Sequence, residues 1–256
     1  MKIVVCVKQV PDSTAKVVVE QGKITWGDAP LIMNPWDEYA VEAALQQKEA
    51  LGGTVTAITI GDESSKETLK RALAMGADDA ILVADPALTN MDTQATAQVL
   101  AAAIRKIGAV DMVFFGRQAI DGDSGLIPAQ AARLLGWPAI TLASLIKIDG
   151  NRVHAERGVE EGRQIVSAAL PTVFSLTKDF GEPRYPSFMG IRKASRAEIP
   201  TWSLSELGIP APVSVISWVE IMNPPVREVN CEFITGGNPE EIAETLADKI
   251  LAEKVL

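Results

Sequence analysis

Two cysteines and one histidine are all that this 256-residue chain offers as thiols and soft metal ligands. Cys6 and Cys231 stand far apart, neither belongs to a C-x-x-C pair and no histidine lies near them, which excludes a metal site or redox dithiol of the usual spacing. Positive charge is also scarce. The 24 Lys and Arg against 33 Asp and Glu leave a net charge of -9, the wrong sign for a surface that must displace counterions from a nucleic-acid backbone. No apolar stretch approaches the length of a membrane span. The opening Met1-Lys2-Ile3-Val4-Val5-Cys6-Val7-Lys8 has an apolar run of only five residues followed by charge rather than a small-residue cleavage site, so it is predicted to be a first strand and not a signal peptide. Internal repeats and low-complexity tracts are missing as well. These absences fit a reducing cytoplasmic setting, and a mitochondrial matrix would look the same.

What is present is an alternation of strand-like and helix-like segments in a chain that is 47% hydrophobic, enough to build a substantial core. Residues 3–7 are predicted to form a strand, 16–20 and 23–26 a hairpin, and 34–52 a helix opened by Asn34-Pro35 and stopped by Gly52-Gly53. Strands follow at 54–60 and 79–83, separated by a helix over 65–75 that Gly76 closes. An alanine-rich helix at 92–107 precedes a strand at 111–115, and a further helix ends near Gly136 before Pro138. Such alternation predicts an α/β, Rossmann-like, mostly parallel sheet with helices on both faces. Longer strands at 144–148, 152–157, 163–169 and 172–176 add antiparallel members, with Asp149-Gly150-Asn151 as one turn. From residue 181 onward Pro183, Pro186, Pro200, Pro210, Pro212, Pro224 and Pro225 break the chain into short pieces, and only 239–254 is predicted as a regular helix. Two regions are therefore expected: a nucleotide-binding α/β domain over 1–180, and over 181–256 a proline-rich loop and C-terminal arm that wraps a partner chain.

The clearest chemical statement lies in the middle. Gly116-Arg117-Gln118-Ala119-Ile120-Asp121-Gly122-Asp123 follows directly on the apolar Met112-Val113-Phe114-Phe115 and precedes the helix-like Pro128 to Leu135. A buried parallel strand that ends in a glycine-bearing loop and then a helix N-terminus is the layout of a nucleotide site, because the free N–H groups and positive helix end attract phosphate. Phosphate is expected on the N–H groups of Asp123, Ser124, Gly125, Leu126 and Ile127, with Ser124 as the hydroxyl donor, and Gly116 and Gln118 at the mouth of the loop. Asp121 and Asp123 resemble an acid/base pair. Their simpler duty is to accept turn N–H groups while Gly122 supplies backbone freedom, so no catalytic residue is assigned. Arg117 either pairs with phosphate or stays a solvated surface charge. His154, alone on a hairpin-like strand, reads as a structural side chain, and Glu160-Glu161 before Gly162 as turn surface.

Several ordered motifs resemble the β (small) subunit of electron transfer flavoproteins. They are Lys2 to Val10, Asn34-Pro35-Trp36-Asp37-Glu38, Arg71-Ala72-Leu73-Ala74-Met75-Gly76-Ala77-Asp78, the 116–123 loop, Leu170-Pro171-Thr172-Val173, and Glu182-Pro183-Arg184-Tyr185 with Ile191-Arg192-Lys193-Ala194. The resemblance implies a heterodimer whose α subunit holds most of a redox-active FAD. The β chain binds AMP as a structural ligand and embraces α with its arm. Electrons would pass from an acyl-CoA dehydrogenase to a quinone oxidoreductase or another acceptor, with the cofactor rather than this chain doing the redox chemistry. It further implies that Cys6, Asn34 and Ile60 border the nucleotide, that Trp36 approaches the flavin, that Glu156 and Arg157 pair near the subunit interface, and that Phe188, with Tyr185 and Met189 beside it, anchors docking to the dehydrogenase.

Within that family two kinds of β subunit differ at the loop. Asp121-Gly122-Asp123 and Asp92-Thr93-Gln94-Ala95-Thr96 match members that hold a second FAD in place of AMP for electron bifurcation. Leu126 stands where those members carry glutamine, and Asn34 to Glu38 resemble the AMP-holding ones. Two readings of other classes remain beside these. A nucleotide-dependent transferase or ligase would need the Ser-Gly-Gly-x-Asp type of pyrophosphate loop, which is lacking, and an ATP-binding module like a universal stress protein would lack the long proline-rich arm.

Overall fold

A computed structural model describes residues 1–225 and 231–253. Its backbone is an α/β fold built on nine strands in the order β11-β10-β9-β12-β8-β1-β6-β7-β13. The parallel centre comprises β12 (Thr172–Leu176), β8 (Met112–Gly116), β1 (Lys2–Cys6), β6 (Thr54–Ile60) and β7 (Asp79–Val83). On one side β9 (Ala139–Asp149) joins β12 in parallel, and β10 (Arg152–Val159) and β11 (Gly162–Ala169) continue it as antiparallel members. Nothing among the described residues pairs with the outer edge of β11, where Ile165 is 76% exposed. Two small hairpin-like pairs, β2 (Gln9–Pro11) with β5 (Leu31–Met33) and β3 (Val18–Glu20) with β4 (Lys23–Thr25), stand outside the main sheet.

Strand alternation divides the core in two. Ile3, Val5 and Val7 face one layer, made by α1 (Pro35–Leu51) and α2 (Lys66–Met75), while Val4 and Cys6 face the other, made by α3 (Thr93–Ile107) and α4 (Ile127–Leu135). Period-2 exposure of opposite faces is why the central strands read as unbroken apolar runs. Phe114 and Phe174 are fully buried and stack with ring centroids 5.0 Å apart, tying β8 to β12. The helix boundaries are set locally. Asp92 accepts the N–H of Ala95 at the start of α3, and Gly136 ends α4 in the left-handed region at φ 75°.

The stretch after residue 180 holds more regular structure than its prolines foretell. The helix α5 (Phe188–Ala194) packs on α2, β13 (Thr201–Trp202) adds a parallel edge to β7, and α6 (Leu204–Leu207) lies against α3. Ala194 and Leu204 enter the two core layers. The first compact unit thus runs from Met1 to Ile221, and residues from Met222 form a second. That second unit contains α7 (Pro239–Ala252), opened by a reciprocal cap between Asn238 and Glu241 and steadied by Lys249 on Glu232 at 2.8 Å. Lys254, the expected end of this helix, lies outside the described residues. No helix among the described residues is long and apolar enough to cross a membrane.

Candidate nucleotide site

The sheet changes direction of growth at β1: the chain moves to β6 and β7 on one side, then crosses to β8 on the other. Ligands of open α/β sheets bind outside the carboxyl ends of the strands at such a point. Here that crevice is bordered by the end of β1, the start of α1, and the 117–126 segment between β8 and α4. The loop is held from below. Asn34, completely buried, occupies the residue before α1 but makes no side-chain cap. Its amide instead donates to the Gln118 carbonyl at 2.9 Å and accepts from the Ile120 N–H at 3.2 Å. Lys8 Nζ reaches Asp121 at 2.6 Å.

Beneath these contacts lies Asp37, a residue that sequence reasoning did not single out as part of the site. An acid in the first turn of a helix looks like an ordinary partner of the helix dipole, and nothing in its spacing announces burial. Its carboxylate accepts the Lys8 N–H at 2.7 Å and also the Gly116 N–H, so it ties the end of β1 to the end of β8. Burial drives its pKa up from 3.8 to about 7, against the lowering effects of hydrogen bonds from Asn34, Lys8 and Gly116 and of the Lys8 charge. Cys6, buried at the end of β1, has its thiol pushed well above the ordinary value by burial and then by the charge of Asp37. Such a thiol is inert packing. Gly116 is required by closeness: a Cβ there would lie 2.4 Å from Asp37 Oδ1 and 2.6 Å from the Trp36 carbonyl carbon.

Within the loop, backbone freedom is used at other positions than expected. Gly122 does not take a left-handed φ and a Cβ on it would meet nothing, whereas Asp123 (φ 49°) and Gly125 (φ 61°) do take one. The N–H groups of Gly122 and Asp123 both point back to the Ala119 carbonyl, at 3.3 and 2.8 Å. Asp123 therefore drops out of the expected phosphate donors, because its N–H already closes the turn. Among the described residues no acceptor pairs with the N–H groups of Ser124, Gly125, Leu126 or Ile127, which lead into and begin α4. Ser124 is exposed, Gly125 half-buried and Leu126 52% exposed. Each loop carboxylate is engaged by another side chain: Asp121 accepts from Lys8, and Asp123 accepts from the Gln118 amide. The helix amides themselves offer an anion free N–H donors. Ile60, at the end of β6, packs half-buried against the α3/α4 layer. Trp36 is half-buried near the start of α1, with the Arg117 guanidinium 5.5 Å above its ring. Arg117 is itself exposed, so it combines this aromatic contact with the solvated charge that its sequence position allows.

The residues expected to dock a partner lie elsewhere. Tyr185, Phe188 and Met189 are 91%, 80% and 69% exposed. Phe188 is not at the tip of an extended loop; it is the first residue of α5, which Ser187 caps by accepting the Gly190 N–H at 2.9 Å. Glu156 and Arg157 sit on β10, where Glu156 pairs with Arg163 and Arg157 donates to Thr141. His154 lies on the same strand, exposed. No cluster of metal-ligating side chains occurs among the described residues.

Comparison with known proteins gives this geometry its context. The electron transfer flavoprotein domain matches residues 23–207. The chain is 37% identical to the electron transfer flavoprotein subunit beta of Megasphaera elsdenii, with both chains covered in full. It is 36% identical to subunit CarD of the caffeyl-CoA reductase-Etf complex of Acetobacterium woodii, again over the whole of each. Against the electron transfer flavoprotein subunit beta of Bacillus subtilis it is 36% identical, over 99% of this chain and 98% of that one. A match that takes in the switch-point loop, the capped α5 segment and the strands between them shows that the chain belongs to the electron transfer flavoprotein family, among its β subunits.

Proposed function

We propose that this chain binds AMP at the β1/β8 switch point and works as the non-catalytic half of a heterodimeric carrier. Its partners would be an α subunit that holds most of the FAD and an acyl-CoA dehydrogenase that delivers electrons for a quinone oxidoreductase or another acceptor. The observation that carries the nucleotide reading is the row of N–H groups from Ser124 to Ile127 at the start of α4, unpaired among the described residues, beside carboxylates that already have side-chain partners. Those amides and the Ser124 hydroxyl would hold phosphate, with Cys6, Asn34 and Ile60 bordering the adenosine and Gly116, Gln118, Asp121 and Gly122 shaping the wall. A bound flavin supplies the electron chemistry; the chain's part is to orient, to exclude water and to dock. Trp36 would approach the flavin from this subunit. Phe188, with Tyr185 and Met189, would enter an apolar pocket on the dehydrogenase, as exposed aromatics on a rigid mount do at interfaces. The arm would include residues beyond 210, where Val213, Val215, Trp218 and Val219 are each at least 74% exposed and so suit burial by the α subunit.

A second reading keeps the same crevice and places a second FAD there. It is supported by Gly122, around whose Cβ position there is open space, and by Thr93, half-buried at the start of α3 on the same edge of the sheet. Thr96 contributes less, because its hydroxyl is spent on the Asp92 carbonyl at 2.8 Å. Denaturing the purified heterodimer and identifying the released nucleotides by mass decides between them. One AMP with one FAD is expected, two FAD would install the second reading, and a heterodimer with no adenine nucleotide beyond the α subunit's flavin would remove both.

A further inference from the structure

The segment that carries Tyr185, Phe188 and Met189 is fixed at both ends. At its start Arg184 makes the densest set of ionic contacts among the described residues. Its Nε and Nη2 donate to the two oxygens of Glu42 at 2.7 and 3.0 Å, its backbone N–H adds a third bond to Glu42 at 3.1 Å, and Nη1 and Nη2 donate to Glu49 at 2.5 and 3.2 Å. Glu42 and Glu49 are two helical turns apart on α1, so one planar guanidinium fork spans both. Glu42 is only 5% exposed. Burial alone would raise its pKa, yet the hydrogen bonds from Arg184 and Gln46 hold it below the ordinary glutamate value. At the far end Gly190 lies on the last turn of α2, where a Cβ would meet the Ala74 carbonyl oxygen at 2.3 Å. Between these two mounts three large apolar side chains stand in solvent.

We propose that Arg184, clamped on Glu42 and Glu49, is a positioning residue that presents the Tyr185–Met189 face in its docking geometry, a role that rests on the docking reading above. An interface whose anchors are already ordered avoids the cost of fixing a flexible segment on association. Lysine at 184 would keep the charge but not the fork, since one ammonium nitrogen cannot reproduce the separate bonds made by Nε, Nη1 and Nη2.

The test is a double-mutant cycle on the assembled heterodimer, with a short-chain acyl-CoA dehydrogenase reduced by its acyl-CoA substrate as electron donor. Arg184→Lys is expected to raise the KM of the dehydrogenase for the flavoprotein about fivefold, the equivalent of one or two lost hydrogen bonds. It should leave kcat and direct dithionite reduction of the flavin unchanged and speed amide exchange over residues 185–190. In a Phe188→Ala background the same substitution should raise KM by clearly less than fivefold, because the largest of the anchors it positions beside Tyr185 and Met189 is gone. Should Arg184→Lys fail to assemble, Glu49→Gln carries the cycle, since it loosens the fork while Glu42 stays paired. Phe188→Ala raising KM with no effect of the Arg184 or Glu49 variant would overturn the positioning role and leave docking intact. A full effect of Arg184→Lys that persists without Phe188 would overturn it too. Phe188→Ala without any effect would remove the docking reading and this role with it.

Discussion

Asp37→Asn tests the electrostatics under the nucleotide loop. In the folded chain burial lifts the Asp37 pKa from 3.8 to about 7, so the native state binds a proton that the unfolded chain has already released at the same pH. The stability tied to this proton is complete below the unfolded value near 4 and is lost as pH rises through about 7. With one pKa unit worth about 1.4 kcal/mol, moving from about pH 5 to about pH 8 should cost the wild type about 2.5 kcal/mol through this group alone. Asparagine cannot ionise and escapes that loss. It also has a single acceptor oxygen, so it keeps only one of the bonds from the Lys8 and Gly116 N–H groups, an offset of about 1 to 3 kcal/mol that does not depend on pH. Denaturant unfolding of wild type and variant, followed by tryptophan fluorescence at both pH values, separates the two effects, because contributions shared by both proteins cancel in the difference. The variant should gain on the wild type by about 2.5 kcal/mol between the lower and higher pH. A stability gap that stays flat would refute the reasoning and mean that the two backbone N–H bonds outweigh burial and keep Asp37 ionised throughout.

Asn34→Ala should remove both ties to the loop, lowering stability by about 2 to 4 kcal/mol and the nucleotide recovered after denaturation, as measured by unfolding and adenine quantification. Gly116→Ala should yield little soluble protein or a loss above about 3 kcal/mol, since its Cβ has only backbone and a buried carboxylate to push against; a stable variant with wild-type nucleotide content would contradict the close approach. Lys8→Met should change stability by no more than about 1 kcal/mol, because the ion pair with Asp121 is partly solvated. Its larger effect should fall on nucleotide retention, where a released Asp121 carboxylate competes with phosphate, and equal retention in both proteins would count against that arrangement.

Most of the α/β frame was legible because each element carries its own punctuation. Gly52, Gly76 and Gly136 close helices in the places their sequence implies, and the strands at 54–60, 79–83 and 172–176 have the predicted bounds. What escaped was short or distant. The helix at Phe188–Ala194 is too brief for a hydrophobic period and is set by one serine cap, and Thr201–Trp202 is a strand only because β7 offers it an edge. The Arg184 to Glu42 pairing joins residues 142 apart in sequence, a distance across which charge patterning says nothing. In the loop, residue type pointed to Gly122 as the flexible position while the turn closed on Ala119 and placed the left-handed φ values on Asp123 and Gly125. Local chemistry marked the loop as a candidate nucleotide site, but which of its amides stay unpaired among the described residues depended on how the backbone folded back on itself.

The outer border of β11, unpaired among the described residues, bears on how the chain behaves when it is produced. A strand with a row of unsatisfied N–H and C=O groups and a protruding isoleucine is a template for any other strand that meets it, another copy included. Production of this polypeptide alone and at high concentration should therefore give inclusion bodies or soluble clumps rather than a tractable monomer.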